Sequence, residues 1–235
     1  MRVYVHGAGR KGRDAWPSAT PAKDSALSED SARSEDSALF ASLDFTKPMG
    51  DNVASLAGLA PGGCVIFAHS AGAVPVFLAL AARALSPSAL VLVEPALYDI
   101  ARGHDAIEHH IETMTRARER ARAGDLFGYW AIVRPLMFGG EAVPAQWDVE
   151  RAIAASFEKK QPPWGFDVDA SVIAAIPTLV ITGDWNTEYE TIADALVERG
   201  ASHQKLRGNT HRPQDHPDFG ATVEAFLRGH GASRL

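Results

Sequence analysis

A chain of 235 residues is long enough to bury a sizeable core, and one α/β domain with a modest insertion accounts for its length. Its 23 basic and 29 acidic residues leave a formal charge of −6, which argues against nucleic acid or an anionic membrane as the main partner. A single cysteine, Cys64, excludes an internal disulfide, and no apolar run reaches the length of a membrane span.

Arg2 to Val5 reads as a first strand and not as a leader, so a soluble cytoplasmic protein is expected. It runs into His6-Gly7-Ala8-Gly9-Arg10-Lys11-Gly12, where Gly7, Gly9 and Gly12 satisfy the dinucleotide fingerprint G-x-G-x-x-G. That fingerprint requires a helix at once, with its amino end on the pyrophosphate. Arg13-Asp14-Ala15-Trp16-Pro17 and then a polar tract follow instead, so a dinucleotide-dependent oxidoreductase is the weakest reading. Residues 18–38, in which Asp-Ser-Ala recurs from 24, 30 and 36, form a low-complexity patch expected to be a solvated loop or a poorly packed helix. A second strand is expected over 39–45, and a helix capped by Asp51 runs to Leu59, ended by Pro61-Gly62-Gly63.

Cys64-Val65-Ile66-Phe67 has the continuous apolar character of a strand buried on both faces, with Cys64 part of that core. Ala68-His69-Ser70-Ala71-Gly72 then places a serine at a sharp reversal, with a small residue two positions away on each side. A helix over 71–85 follows, apolar on all faces, with Pro75 near the end of its first turn where a missing donor is cheapest. Residues 89–93, Ala-Leu-Val-Leu-Val, form another buried strand that ends in Glu94. A carboxylate at the end of a core strand either reaches solvent or needs a partner.

The character changes over 98–170. Ile107, Ile111 and Met114 share a helix face, and Arg116, Arg118, Arg120 and Arg122 read as a solvated surface. His104, His109 and His110 match no H-E-x-x-H spacing, so surface histidines and no metal are expected. Core character returns at residues 176–183, Ile-Pro-Thr-Leu-Val-Ile-Thr-Gly, followed by Asp184. A helix over 190–198 and a polar strand over 202–206 lead to Gly208-Asn209-Thr210-His211-Arg212-Pro213, and a last helix spans 219–227.

Four segments carry a resemblance to the α/β-hydrolase superfamily. Residues 68–72 resemble its Gly-x-Ser-x-Gly nucleophile elbow, with Ala68 in place of the first glycine. His6-Gly7 resembles the loop that follows an early strand, and Gly208 to Phe219 resembles the histidine loop with its proline-containing, acid-rich turn. The order serine, acid, histidine also matches. The resemblance implies an α/β-hydrolase fold: a mostly parallel sheet of about six strands flanked by helices, shortened by the two strands that usually precede the His-Gly loop. It divides the chain into core 1–97, a helical cap 98–170 inserted after the strand ending at Glu94, and core 171–235.

In residue terms the resemblance implies Ser70 as nucleophile, His211 as base, and the Ala8 and Ala71 N–H groups as the oxyanion hole. The usual acid position after the 178–182 strand lands on Asn186, so Glu94 is favoured as the acid and Asp184 is kept as the alternative. Trp130, Trp164 and His69 are the candidate substrate-binding residues, although both tryptophans also fit as the cap's own core. The implied activity is a cofactor-independent, esterase- or lactonase-like serine hydrolase acting on a small hydrophobic ester, lactone, thioester or amide. A non-enzymatic small-molecule receptor on the same scaffold is the rival. No nucleic-acid or membrane partner is expected, and a homodimer is compatible with the sequence without being specified by it.

Overall fold

The computed structural model describes residues 1–17, 19 and 38–232. Almost all of the low-complexity patch, residues 18–38, therefore lies outside the described residues. Two compact units emerge, Met1–Ala101 with Pro162–Leu235, and Arg102–Gln161.

The larger unit is built on β1 (Arg2–Val5), β2 (Ala38–Phe40), β3 (Val65–His69), β4 (Ala89–Val93), β5 (Thr178–Thr182) and β6 (Ser202–Lys205). All pairings are parallel, in the order β2-β1-β3-β4-β5-β6. Parallel strands need crossovers that cover both faces, and β3, β4 and β5 are accordingly buried at every position. The edges are different: β2 has three half-buried residues and β6 is the polar Ser-His-Gln-Lys. Tyr4, Phe67, Val91 and Ile181 line one face of the sheet, where they join Trp16, Phe219 and Val223 in a common core. Short α1 (Gly12–Ala15), α2 (Met49–Leu59), α3 (Ala73–Ala81), α7 (Thr187–Val197) and α8 (Phe219–Gly229) complete this unit.

Three element boundaries differ from the sequence reading. The second strand stops at Phe40 because side chains replace the ladder beyond it: Leu43 N–H donates to His6 Nε2 and Asp44 N–H to Asn52 Oδ1. The next helix starts at Met49, immediately after Pro48, so Asp51 lies in its first turn and does not cap it. After the elbow, Ser70–Gly72 form one 3-10 turn before α3, which ends at Ala81 where Arg83 turns left-handed (φ 55°) and Ala84 N–H returns to Ala79 O.

The smaller unit holds α4 (Asp105–Arg122), α5 (Leu126–Met137) and α6 (Trp147–Glu158). Along α4, Ile107, His110, Met114 and Ala117 are buried on one stripe. His110 is thus a core residue and not a surface histidine, because it falls three positions after Ile107 and four before Met114. Arg118 is not fully solvated either, since its guanidinium donates to the Glu158 and Lys160 carbonyls. Among the described residues no helix is long and apolar enough to cross a membrane.

Candidate active site

The chain lays β2 on one side of β1 and then returns to lay β3 on the other. Such a reversal opens a crevice at the carboxyl ends of the two strands, where parallel sheets bind ligands. The loop after β1 carries Gly7 and Ala8, and the turn after β3 carries Ser70.

Two glycines let these segments meet. A Cβ on Gly72 would lie 2.4 Å from the His6 carbonyl oxygen, and one on Gly7 would lie 2.8 Å from Ser70 Cβ. Ser70 has φ 53°, the left-handed backbone of a sharp strand-to-helix turn, which costs a non-glycine residue about 1–3 kcal/mol. Buried His6 pins the facing loop. Its Nε2 accepts the Leu43 N–H at 3.0 Å, so Nδ1 holds the proton and donates it to the Gly7 carbonyl at 2.7 Å. Ala71 is the second residue of the 3-10 turn, where first-turn N–H groups lack partners within the helix.

Strand register brings the acid alongside. His69 pairs with Val93, so Glu94 continues β4 next to Ser70. Its side chain is 0% exposed. Oε1 accepts the Gly183 N–H at 2.6 Å, and Oε2 accepts the Trp185 Nε1–H at 3.0 Å. His211 Nδ1 lies 3.4 Å from the same Oε2, and its Nε2 lies 3.1 Å from Ser70 Oγ. Burial pushes the Glu94 carboxyl up to about 8, against the pull of the Gly183 and Trp185 donors. Burial also lowers His211 to about 4, assisted by the neighbouring Arg212 guanidinium. Three donors converging on one carboxylate, and an imidazole kept neutral, leave Nε2 free to accept a proton from Ser70.

The histidine loop is held from several directions. The His211 carbonyl accepts the Nε2–H of His69 at 2.9 Å, and Arg212 donates to Asp215 and to the Ala15 carbonyl. A Cβ at Gly183 would come within 2.2 Å of the Thr210 carbonyl, so only glycine lets the loop pass there. Among the described residues six non-glycines adopt positive φ, and Ser70, Glu94 and Thr210 are three of them. Strain is concentrated where the three side chains meet.

The other candidate residues have different surroundings. Asp184 turns towards β6, where Lys205 Nζ (2.7 Å) and Arg207 Nε (2.6 Å) bind its carboxylate and hold it below the usual range. The carboxylate that faces His211 Nδ1 is that of Glu94. Asn186 caps α7, its Oδ1 accepting the Glu188 N–H. His69 is buried against Trp16 and spends its Nε2–H on the His211 carbonyl, so it braces the loop that carries His211. Trp130 is buried in the smaller unit, with its indole N–H on Glu150 at 2.5 Å. Trp164 belongs to the larger unit and packs edge-on against Tyr98. Gly183 and Trp185, the donors to Glu94, escaped the sequence reading. The unexplained carboxylate at the end of a core strand was the signal that could have found them, since it must be met by donors from the neighbouring strand's end.

Comparison with solved structures decides the fold. A carboxylesterase from the thaumarchaeon Nitrososphaera gargenis superposes with TM-score 0.58 at 14% identity, over 98% of this chain and 90% of that one. MGS-M2, an α/β hydrolase from a deep-sea metagenome library, gives TM-score 0.55 at 13% identity, over 98% and 88%. The chain has the α/β-hydrolase fold. A third member of that fold, a bromoperoxidase from Bacillus anthracis, gives TM-score 0.57 at 16% identity, over 97% and 91%. No family model and no curated protein sequence matches the chain. Within the α/β-hydrolase sheet, the Ser70, Glu94 and His211 side chains meet at the carboxyl ends of the strands.

Proposed function

We propose that the chain is a serine hydrolase that cleaves an ester, lactone, thioester or amide through an acyl-enzyme. The observation that carries this reading is the relay Ser70 Oγ to His211 Nε2 at 3.1 Å and His211 Nδ1 to Glu94 Oε2 at 3.4 Å. His211 takes the Ser70 proton as Oγ attacks the carbonyl carbon, and Glu94 holds the imidazole tautomer and stabilises the imidazolium. The Ala8 and Ala71 N–H groups receive the oxyanion, each donor worth about 3 kcal/mol of barrier. Collapse expels the alcohol, thiol or amine, which takes the proton from His211. Water activated by the same histidine then releases the acid and restores Ser70. Each step uses groups of the protein itself.

The test is turnover of a panel of p-nitrophenyl esters, lactones and thioesters by wild type and by Ser70→Ala. The reading expects at least one class to be hydrolysed and Ser70→Ala to abolish it. Turnover that survives in Ser70→Ala overturns it.

A further inference from the structure

Around the relay, His69, Ser70, Glu94 and Tyr189 are buried, whereas the His211 side chain is 28% exposed and Trp185 is 41% exposed. Despite that openness the indole is held firmly on its inner side. Its Nε1–H donates to Glu94 Oε2 at 3.0 Å, and its Cδ1 lies so close to Gly183 that a Cβ there would meet it at 3.0 Å. The Tyr189 ring lies 6.1 Å away, tilted by 36°. Both Nε1 and Cδ1 belong to the five-membered ring, so the six-membered ring carries the exposure. The same indole stands edge-on to the imidazole of His211, with 6.1 Å between centroids and 71° between planes. Holding Glu94 uses only the N–H, and the aromatic surface that remains is open beside the base.

We propose that Trp185 is a specificity-determining residue, whose six-membered ring receives an aromatic group on the leaving side of the substrate. The inference rests on the serine-hydrolase reading and narrows its substrates to esters of aryl-substituted alcohols. As the bond from the carbonyl carbon to the leaving oxygen breaks, its electron pair goes to that oxygen and the proton comes from His211 Nε2. The alcohol is therefore released against the imidazole and the open surface that flanks it, which is Trp185. A flat ring packs offset or edge-on against another with a gain beyond the area it buries, and a saturated ring of the same size does not share that gain. Because Glu94 and Gly183 already fix the indole, binding has little left to order on the protein's side. One side chain thus holds the acid through its N–H and sorts alcohols through its ring.

The experiment measures kcat/KM for 2-phenylethyl acetate and 2-cyclohexylethyl acetate in wild type and Trp185→Leu, with fluorophosphonate labelling of wild type alongside. The two alcohols match in length and closely in acidity, so the ratio of the two values reads the ring contact. Loss of the donor to Glu94 slows Trp185→Leu on both esters alike and cancels in the same ratio. Wild type is expected to favour the phenylethyl ester by ~3- to 10-fold, and Trp185→Leu to bring the ratio down to about one. A wild type that treats the two esters equally or favours the saturated one, or a Trp185→Leu that keeps the preference, overturns the proposal and leaves the serine-hydrolase reading standing. So does a wild type that is labelled but hydrolyses neither ester. Wild type that is neither labelled nor active on any ester overturns both. If Trp185→Leu does not fold, competitive inhibition of wild type by the two free alcohols decides: tighter binding of 2-phenylethanol supports the proposal, and equal or weaker binding overturns it.

Discussion

Glu94 leaves the end of β4 and reaches across to β5, where its Oε1 accepts the Gly183 backbone N–H at 2.6 Å. That bond fixes the carboxylate beside His211, where the proposed relay needs its acid. The residue that follows Gly183, Asp184, is turned to Lys205 and Arg207. Two acids at neighbouring strand ends therefore have separate tasks, one under the imidazole and one in a surface ion-pair group.

Replacing each acid in turn separates these tasks. Glu94→Gln puts an amide where His211 needs a carboxylate, and kcat is expected to fall by ~10³–10⁴. Asp184→Asn is expected to change kcat by less than about threefold, as exposed ion pairs are worth little. Steady-state kinetics at saturating substrate checks both, and the reverse ranking would make Asp184 the acid.

The pH dependence follows from Glu94. Its carboxyl is raised to about 8 and His211 is lowered to about 4, so the ionised acid and neutral base coexist only at alkaline pH. The kcat/KM profile is expected to rise with a one-proton limb near pH 8 and to show no other limb down to about pH 5. Trp185→Phe removes a donor to the carboxylate and should move that limb to higher pH, with the shift read from the same profile.

Stability should run the other way. Glu94 is raised in the folded state, so its contribution is full below the unfolded value and is lost as pH climbs through about 8. His211 is depressed, so its opposing contribution is lost only as pH falls below its ordinary 6.5 towards about 4. From pH 6.5 to 8 Glu94 acts alone, and unfolding free energy should fall by on the order of 1–2 kcal/mol. Urea melts across that window check this, and in Glu94→Gln the slope should flatten.

Gly72 and Gly183 are expected to resist even alanine. An added Cβ meets the His6 carbonyl at 2.4 Å in one case and the Thr210 carbonyl at 2.2 Å in the other, and neither obstacle is a flexible side chain. Each substitution should cost about 1–3 kcal/mol of stability. Gly183→Ala should in addition displace the loop carrying His211 and lower kcat more than Gly72→Ala does for the same loss of melting temperature.

Much of this was legible in the residues. The apolar runs that became β3, β4 and β5 are unbroken because those strands are buried on both faces, and that burial is what an unbroken run encodes. The serine turn announced itself through small residues whose absence of bulk the His6 loop requires. What stayed hidden depended on contacts between distant segments. Residues 41–45 carry Leu43 and Phe45 into the core, yet the His6 ring and Asn52 take their backbone donors. His69 looked like a pocket residue beside the nucleophile, and only the fold reveals the carbonyl 142 positions away that it braces.

The central claim is that Ser70 becomes covalently acylated, and the most direct measurement is peptide mapping by mass spectrometry after reaction with a fluorophosphonate probe. The account predicts a single adduct on the peptide containing Ser70, formed faster as pH rises towards 8 and lost in His211→Ala. An adduct on another residue, or hydrolysis of ester substrates by a protein whose Ser70 peptide stays unmodified, would contradict it.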